Sequence, residues 1–361
     1  MTTAAPKDLK QLISPVWTGN TVYEESFLPV MEAGSDADAP LYVSLLYHAD
    51  EILSVTDMTR EHTYEAGRDY VLEDGKLLLP AGSAVRKMPW SDYNPDETSS
   101  FPFTCSRGGK LFFAEGKELH TREYCVTYRH SDKWNGFVPV CDPSLLPKTR
   151  ARLLNGEPFR FCWFGDSITT GANSSGNPHI NVPPFTPMFP ELTVHALSDR
   201  FGCSVGYVNH AVGGTVSGWG CEKLPGDFAN EIPDIMFIGF GMNDASGHVA
   251  PETFIKNIRT MAEQTLALNP DCELLLCSTT VPNPLANQFV WDHETHEPLL
   301  AALAKEYGSR AALVPMTSVH KALLAKKHFY DMTGNNINHP NDFLARVYTQ
   351  TILTVLCGDL L

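Results

Sequence analysis

Phe-Arg-Phe-Cys-Trp-Phe-Gly-Asp-Ser-Ile-Thr, residues 159–169, is an apolar run that ends in a glycine and a group of polar residues. The run predicts a buried strand, and Gly165-Asp166 predicts a turn at its carboxyl end. Amphipathic helical stretches, such as 252–268 and 295–307, separate four further apolar runs, at 205–208, 235–238, 274–277 and 312–314. Continuous apolar strands that alternate with helices predict a parallel sheet covered by helices on both faces.

The first 150 residues have a different pattern. Short β-rich runs, separated by turn signals such as Asp74-Gly75, occupy positions 41–47, 70–72, 76–79 and 124–128. Such runs without long helices predict a β-sandwich. Residues 143–152 are typical of a connector. We therefore predict two domains, a β-sandwich over 1–150 and an α/β domain over 151–361.

Composition limits the classes of function. The 361 residues include 27 basic and 42 acidic ones, for a net charge of −15, and this dispersed negative charge disfavours a general nucleic-acid binder. The absence of a continuous apolar run of ~18 residues argues against a membrane protein. The nine cysteines contain no CxxC pair, and the first residues do not form a secretory signal. We expect a cytoplasmic protein, although a secreted form whose signal has been removed would look the same.

Four polar clusters follow apolar runs or precede the last helical stretch: 165–169, 209–215, 241–244 and 336–342. Ligands of parallel sheets bind beyond the carboxyl ends of the strands, so these clusters are expected to meet. Each cluster alone is also explained by an ordinary turn or helix cap. Together they provide a serine hydroxyl, a glycine pair for close backbone approach, an asparagine amide and an imidazole.

The order of these clusters resembles that of the SGNH (GDSL-type) hydrolases. The resemblance covers residues 159–361 and rests on Gly165-Asp166-Ser167-Ile168, Gly214 after Asn209, Gly241-Met242-Asn243-Asp244 and His339-Pro340. It implies a flavodoxin-like three-layer α/β/α fold and ester hydrolysis without a cofactor or a metal. Ser167 would be the nucleophile and His339 its base, and the N–H groups of Ser167, Gly214 and Asn243 would bind the oxyanion.

One position departs from that family. An aspartate normally stands three residues before the histidine, and here that residue is Asn336. An amide oxygen can accept from the imidazole Nδ1–H but provides no negative charge. Asp331, Asp342 or a backbone carbonyl are alternatives. We predict a Ser–His dyad whose histidine is oriented by the neutral Asn336.

The substrate is predicted from the domain layout. A β-rich part before such a catalytic domain resembles carbohydrate esterase family 2, in which a jelly-roll precedes an enzyme that removes acetyl groups from plant polysaccharides. The resemblance predicts an acetylated oligo- or polysaccharide as substrate and leaves the oligomeric state open. A short-chain lipid ester or thioester hydrolase and a catalytically inactive carbohydrate-binding protein are the alternatives. Trp219 and Trp291 would either stack on sugar rings or pack in the protein.

The segment His293-Glu294-Thr295-His296 is a weak candidate for a metal site. Its histidines are three residues apart, whereas a helical zinc motif requires a spacing of four and a further ligand. We interpret the segment as the solvated start of a helix.

Overall fold

The N-terminal part of the molecule contains two small antiparallel sheets. The structure, a computed structural model, describes residues 9–36 and 38–360. The strands are β1 (Thr21–Phe27), β2 (Leu41–Val43), β3 (Glu51–Asp57), β4 (Val71–Glu73), β5 (Lys76–Leu79) and β6 (Tyr124–Arg129). One sheet has the order β1-β6-β3 and the other the order β2-β5-β4. The short helices here are α1 (Leu9–Leu12) and α2 (Trp90–Tyr93).

The predicted β-rich character of this part is confirmed. The run predicted over 76–79 is β5, and the run over 124–128 is β6 with one added residue. The run over 41–47 forms a strand only in its first three residues, and β1 and β3 were not predicted. The more specific jelly-roll arrangement stays a prediction.

The second half contains a five-stranded parallel sheet with helices on both sides. Its strands are β7 (Phe159–Gly165), β8 (Val205–Asn209), β9 (Ile235–Gly239), β10 (Glu273–Cys277) and β11 (Ala311–Val314), in the order β11-β10-β9-β7-β8. The helices are α3 (Pro147–Asn155), α4 (Phe189–Phe201), α5 (Ser217–Asp227), α6 (Met242–Ser246), α7 (Pro251–Leu268), α8 (His296–Glu306), α9 (Met316–Leu324) and α10 (Asp342–Cys357). Short 3₁₀ turns span His293–Thr295, Gly308–Arg310, Phe329–Asp331 and Gly358–Leu360. The predicted α/β/α architecture is confirmed.

The three layers follow from the alternation of side chains along each strand. In β7, Phe161 and Trp163 belong to the apolar cluster that contains α4, α9 and α10. Cys162 and Phe164 belong to the cluster on the other face, with α5, α7 and α8. Because both faces are buried, the strand is apolar at nearly every position, as a parallel strand covered by two helical layers requires.

Helix α10 connects the two halves of the molecule. All its residues except Thr354 are buried, and its apolar side chains share one cluster with both the parallel sheet and the sheet that contains β1. Arg346, which is 3% exposed, donates hydrogen bonds to the carbonyls of Leu12, Tyr23 and Glu24. The N-terminal sheet therefore packs directly on the α/β part.

The predicted connector at 143–152 overlaps the start of α3. The division into domains at residue 150 stays a prediction. All nine cysteines are unpaired, and seven of them are buried. Among the described residues, none of the helices has both the length and the apolar character needed to span a membrane.

Candidate active site

Ser167 lies in the turn after β7, at the carboxyl edge of the parallel sheet. The turn is tight because Gly165 packs against the backbone of β9: a Cβ at this position would collide with the Gly239 carbonyl and with Thr169. The carboxylate of Asp166 accepts from the Ile168 N–H at 3.0 Å, and burial raises its pKa to about 7. These contacts fix the position of Ser167, which lines a cavity.

His339 lies on a loop between the 3₁₀ turn at 329–331 and α10. The side-chain oxygen of Asn335 accepts from three consecutive N–H groups, those of Ile337, Asn338 and His339, at 2.9–3.1 Å. The Gly334 N–H donates to the His339 carbonyl at 2.9 Å, which closes the loop. The local hydrogen bonds therefore fix the imidazole without regular secondary structure.

The structure brings Ser167 and His339 into direct contact. The distance from Ser167 Oγ to His339 Nε2 is 2.8 Å, and each residue is 8% exposed. This distance is within the range for a nucleophile and its general base. The two clusters that the sequence predicts to meet do meet at this edge of the sheet.

The other ring nitrogen, Nδ1 of His339, lies 2.6 Å from the side-chain oxygen of Asn173. The Asn173 amide nitrogen donates to the carbonyls of Glu115, Gly116 and Gly334 at 3.1–3.4 Å. Because these carbonyls accept only from the nitrogen, the oxygen of Asn173 must face the ring. Nδ1 then carries the proton, and Nε2 is left free to accept the proton of Ser167.

The prediction that Asn336 orients His339 is wrong. Asn336 has φ +68°, and its side chain is turned into a buried network, in which it donates to the Phe112 carbonyl and accepts from Tyr93 and Asn283. The left-handed backbone at this position directs the amide away from the imidazole. Asn173 takes the position at Nδ1 instead.

The two aspartates considered as replacements also lie elsewhere. Asp331 accepts from the N–H groups of Leu28 and His328. Asp342 accepts from both the N–H and the hydroxyl of Ser175, at 2.8 and 2.6 Å. Each carboxylate thus has its own buried donors and joins segments of the fold.

A carboxylate does approach His339, from the N-terminal part of the chain. Glu115 Oε2 lies 3.3 Å from Nδ1, and the Glu115 side chain is 56% exposed. Partial burial raises the pKa of this carboxyl, but the hydrogen bond and charge of His339 outweigh burial, and the pKa lies below its ordinary value. Neither Glu115 nor Asn173 lies in a sequence motif, and no sequence signal pointed to them.

Gly214 and Asn243 are at the same cavity as Ser167. Gly214 has φ +76°, a conformation that favours glycine, and the neighbouring Gly213 lies against the Ser167 side chain. Within residues 9–36 and 38–360, the N–H groups of Ser167 and Gly214 have no hydrogen-bond acceptor. One hydrogen of the Asn243 amide is donated to the Thr215 carbonyl at 2.9 Å, which orients the side chain and leaves its second hydrogen.

The cavity has a volume of about 720 Å³ and a mixed lining. Apolar walls come from Phe103, Phe113, Phe289 and Met188, and polar side chains include Asn177 and Asn338. Trp291, two residues beyond Phe289, is 58% exposed. Its ring is nearly perpendicular to that of His248, and the two ring centroids lie 4.2 Å apart. Trp219 instead stacks on Phe164 and packs against the core, as the packing alternative predicts.

The expectation of a solvated helix start at 293–296 is wrong, because both histidines are buried. His293 is 1% exposed and contacts the Met242 carbonyl, and His296 stacks on Phe254 at 3.9 Å. Burial lowers the pKa of His296 to about 4. Within the part of the chain that the structure describes, no group of three or more potential metal ligands occurs.

A serine and a histidine hydrogen-bonded at the carboxyl edge of a three-layer α/β/α fold define the class of serine hydrolases. The chain belongs to the GDSL-like lipase/acylhydrolase family, whose model matches residues 163–346. This family is the one that the four sequence clusters resemble. A comparison with curated proteins finds no match.

Solved structures with a similar fold include a two-domain esterase active on acetylated mannans, at 21% identity and a TM-score of 0.47. The match covers 60% of this chain and 54% of that esterase. An α/β hydrolase from the metagenome of Lake Arreo has 20% identity and a TM-score of 0.45, over 55% of this chain and 94% of its own. Axe2, an acetylxylan esterase from Geobacillus stearothermophilus, has 14% identity and a TM-score of 0.43, with the same coverages.

Proposed function

We propose that the protein is a serine esterase that works through an acyl-enzyme, with Ser167 as nucleophile and His339 as general base. The observation that carries the proposal is the 2.8 Å contact between Ser167 Oγ and His339 Nε2. A serine hydroxyl is a weak nucleophile at neutral pH, and an adjacent unprotonated imidazole activates it. The orientation of Asn173 supplies that tautomer.

In the first half of the reaction, Ser167 Oγ forms a bond to the ester carbonyl carbon and its proton passes to His339 Nε2. The carbonyl π electrons move to oxygen, and this oxyanion accepts hydrogen bonds from the N–H groups of Ser167 and Gly214 and from the Asn243 amide. Loss of one such donor costs about 3–4 kcal/mol of transition-state stabilisation. The intermediate then collapses, the bond to the alcohol oxygen breaks, and His339 returns the proton to the alcohol.

In the second half, water replaces the alcohol. His339 removes a proton from the water as its oxygen bonds to the acyl carbon, and the same donors hold the second oxyanion. Collapse releases the carboxylic acid and restores the Ser167 hydroxyl with the proton held on His339. No cofactor or metal takes part in these steps.

For the substrate we favour a short acyl ester, above all an acetyl group, on a carbohydrate. The cavity offers the amide of Asn338, whose oxygen accepts from Asn335 and whose nitrogen can donate to a sugar hydroxyl. Trp291 follows the cavity residue Phe289 by two positions and is 58% exposed, and an exposed indole is suited to stacking on a pyranose ring. The apolar walls formed by Phe103, Phe113 and Phe289 keep a short-chain lipid ester as the second candidate.

A substrate panel distinguishes these candidates. Acetate release from acetylated xylo- and manno-oligosaccharides would be compared with hydrolysis of p-nitrophenyl acetate and of long-chain p-nitrophenyl esters. We expect oligosaccharide deacetylation with the highest kcat/KM. A preference for longer acyl chains would favour the lipid ester, and sugar binding without any hydrolysis would indicate an inactive binding protein.

The variant Trp291→Ala tests the sugar contact within the same panel. We expect a higher KM for the acetylated oligosaccharide, by about 5- to 50-fold if one ring stacks on the indole, and an unchanged KM for p-nitrophenyl acetate. Val140→Ala, which removes an exposed apolar side chain elsewhere, is the matched control. Equal KM values of wild type and Trp291→Ala for the acetylated oligosaccharide would show that Trp291 does not contact the substrate.

A further inference from the structure

We propose that Glu115 completes the catalytic group by providing the negative charge that stabilises the imidazolium of His339, while Asn173 sets the orientation of the ring. The proposal rests on the proposed function, because an imidazolium forms only if His339 accepts the serine proton. Glu115 acts through His339 and is a positioning residue.

The contacts place the Glu115 carboxylate beside the protonated ring nitrogen. Oε2 lies 3.3 Å from His339 Nδ1, and Oε1 accepts from the Asn335 amide at 3.4 Å. Asn335 is the same residue that caps the histidine loop through three N–H groups. The backbone carbonyl of Glu115 also accepts from Asn173. Glu115 is thus connected to each of the elements that hold His339.

The two acceptors at Nδ1, the Asn173 amide and the Glu115 carboxylate, differ in distance and in charge. Asn173 lies nearer, at 2.6 Å, and selects the tautomer, but its amide is neutral. When the serine proton reaches Nε2, the ring gains a full positive charge that a neutral amide stabilises only weakly. Among the residues that line the cavity, the titratable side chains are Glu115, His179 and His339, and Glu115 is the carboxylate. The charge that the family places at position 336 therefore comes from a segment about 220 residues earlier in the chain.

The exposure of Glu115 limits how much its charge can change the reaction rate. At 56% exposure, its interaction with His339 is partly screened by water, so an ion pair of this type contributes up to about a 5-fold change in rate. Removing the carboxylate disfavours the protonated ring. The acidic limb of the pH–rate profile is then displaced to lower pH by about 0.3–0.7 units.

The test compares Glu115→Gln with Glu118→Gln, a neighbouring exposed carboxylate that does not contact His339. Both variants remove one negative charge from the same segment. For Glu115→Gln we expect a kcat about 2- to 5-fold lower in 50 mM salt, the displaced acidic limb and an unchanged thermal unfolding temperature. Glu118→Gln is expected to keep the wild-type kcat and profile, and Glu115→Asp, which keeps the charge, to recover part of the loss.

Salt provides a second readout that a purely structural role would not change. Raising the ionic strength to 1 M shortens the Debye length to ~3 Å and should lower the kcat of wild type towards that of Glu115→Gln, with little change in the variant. Identical kcat, pH profile and salt dependence for Glu115→Gln and Glu118→Gln would overturn the proposed role of Glu115. The proposed esterase function would then still stand. Full activity in Ser167→Ala would overturn the proposed function, and the role of Glu115 with it.

Discussion

The side-chain oxygen of Asn173 lies 2.6 Å from Nδ1 of His339, although 166 positions separate the two residues in the chain. Three backbone carbonyls hold the Asn173 nitrogen, so the amide cannot present that nitrogen to the ring without breaking all three bonds. A neutral side chain thereby determines which nitrogen of the histidine is free to take a proton. The pair is the structural basis for the reactivity expected of Ser167.

Replacing Asn173 by alanine should lower kcat by about 10- to 100-fold, less than the loss of a triad member, because His339 keeps the more distant Glu115 carboxylate as an acceptor at Nδ1. In a charged triad, a wrong tautomer costs on the order of 10⁴. Steady-state kinetics with p-nitrophenyl acetate would measure the effect. Asn336→Ala is the comparison: we expect kcat within about 3-fold of wild type and an unfolding free energy lower by about 1–3 kcal/mol, because buried partners are left unsatisfied. The opposite pattern would return the orienting role to Asn336.

Ser167→Ala should fold normally and lose more than about 10³-fold of the esterase activity, because no other group can form the acyl bond. The wild-type enzyme should be labelled by a serine-directed phosphonate at Ser167 alone, as peptide mass spectrometry would show. Ser144→Ala, at an exposed position distant in sequence, controls for the substitution itself. Labelling at a different serine would contradict the assignment.

Buried neutral histidines should make the protein less stable in acid. Burial lowers the pKa of His296 to about 4 and that of His320 to about 3. An unfolded histidine titrates near ~6.5, so between that pH and the folded pKa the unfolded state binds more protons and stability falls as pH falls. Each such group contributes a slope of about 1.4 kcal/mol per pH unit.

His296→Phe isolates one of these groups, since the new ring can still stack on Phe254. Urea unfolding at several pH values from 4.5 to 6 should give a slope that is smaller by about 1.4 kcal/mol per pH unit than that of wild type. An unchanged slope in His296→Phe would show that His296 is protonated alike in both states.

Lys327→Ala should destabilise the protein by about 3–5 kcal/mol, because it leaves a buried carboxylate without its cation. Lys327 and Glu25 are fully buried and joined at 2.7 Å, and the same lysine donates to the Ser44 carbonyl. The adjacent exposed Lys326 offers the control Lys326→Ala, expected within about 0.5 kcal/mol of wild type. Equal urea midpoints for the two variants would show that the buried pair contributes little to stability.

The sequence predicts the α/β half well because its signals are local. Strands buried on both faces are apolar throughout, and each of the five predicted strands agrees with the structure to within a residue or two at either end. Ser167 and His339 also follow local rules, since each lies in a polar cluster beside a buried element. The same reasoning groups Gly214 and Asn243 with Ser167, and all three line one cavity in the structure.

The partners of His339 could not be predicted in this way, because they depend on long-range packing. Asn336 occupies the position where the family has an acid, but a φ of +68° turns its side chain towards Tyr93. Asn173 reaches the ring because Gly334 has no Cβ that would collide with it. Glu115 arrives on a segment without any sequence motif. No single stretch of the chain therefore encodes the contact of Asn173 or of Glu115 with His339.

The enclosure of α10 has a consequence for how the protein is made. The sheet of β1, β3 and β6 is complete once residue 129 has been synthesised, but the helix that covers it begins only at Asp342. At 5–20 residues per second, the ribosome needs about 10–40 s to supply that helix. During this interval the inner apolar surface of the sheet and the buried charge of Glu25, which is neutralised by Lys327, have no native partner. The sheet therefore gains its native packing partners only after the intervening α/β segment has been translated.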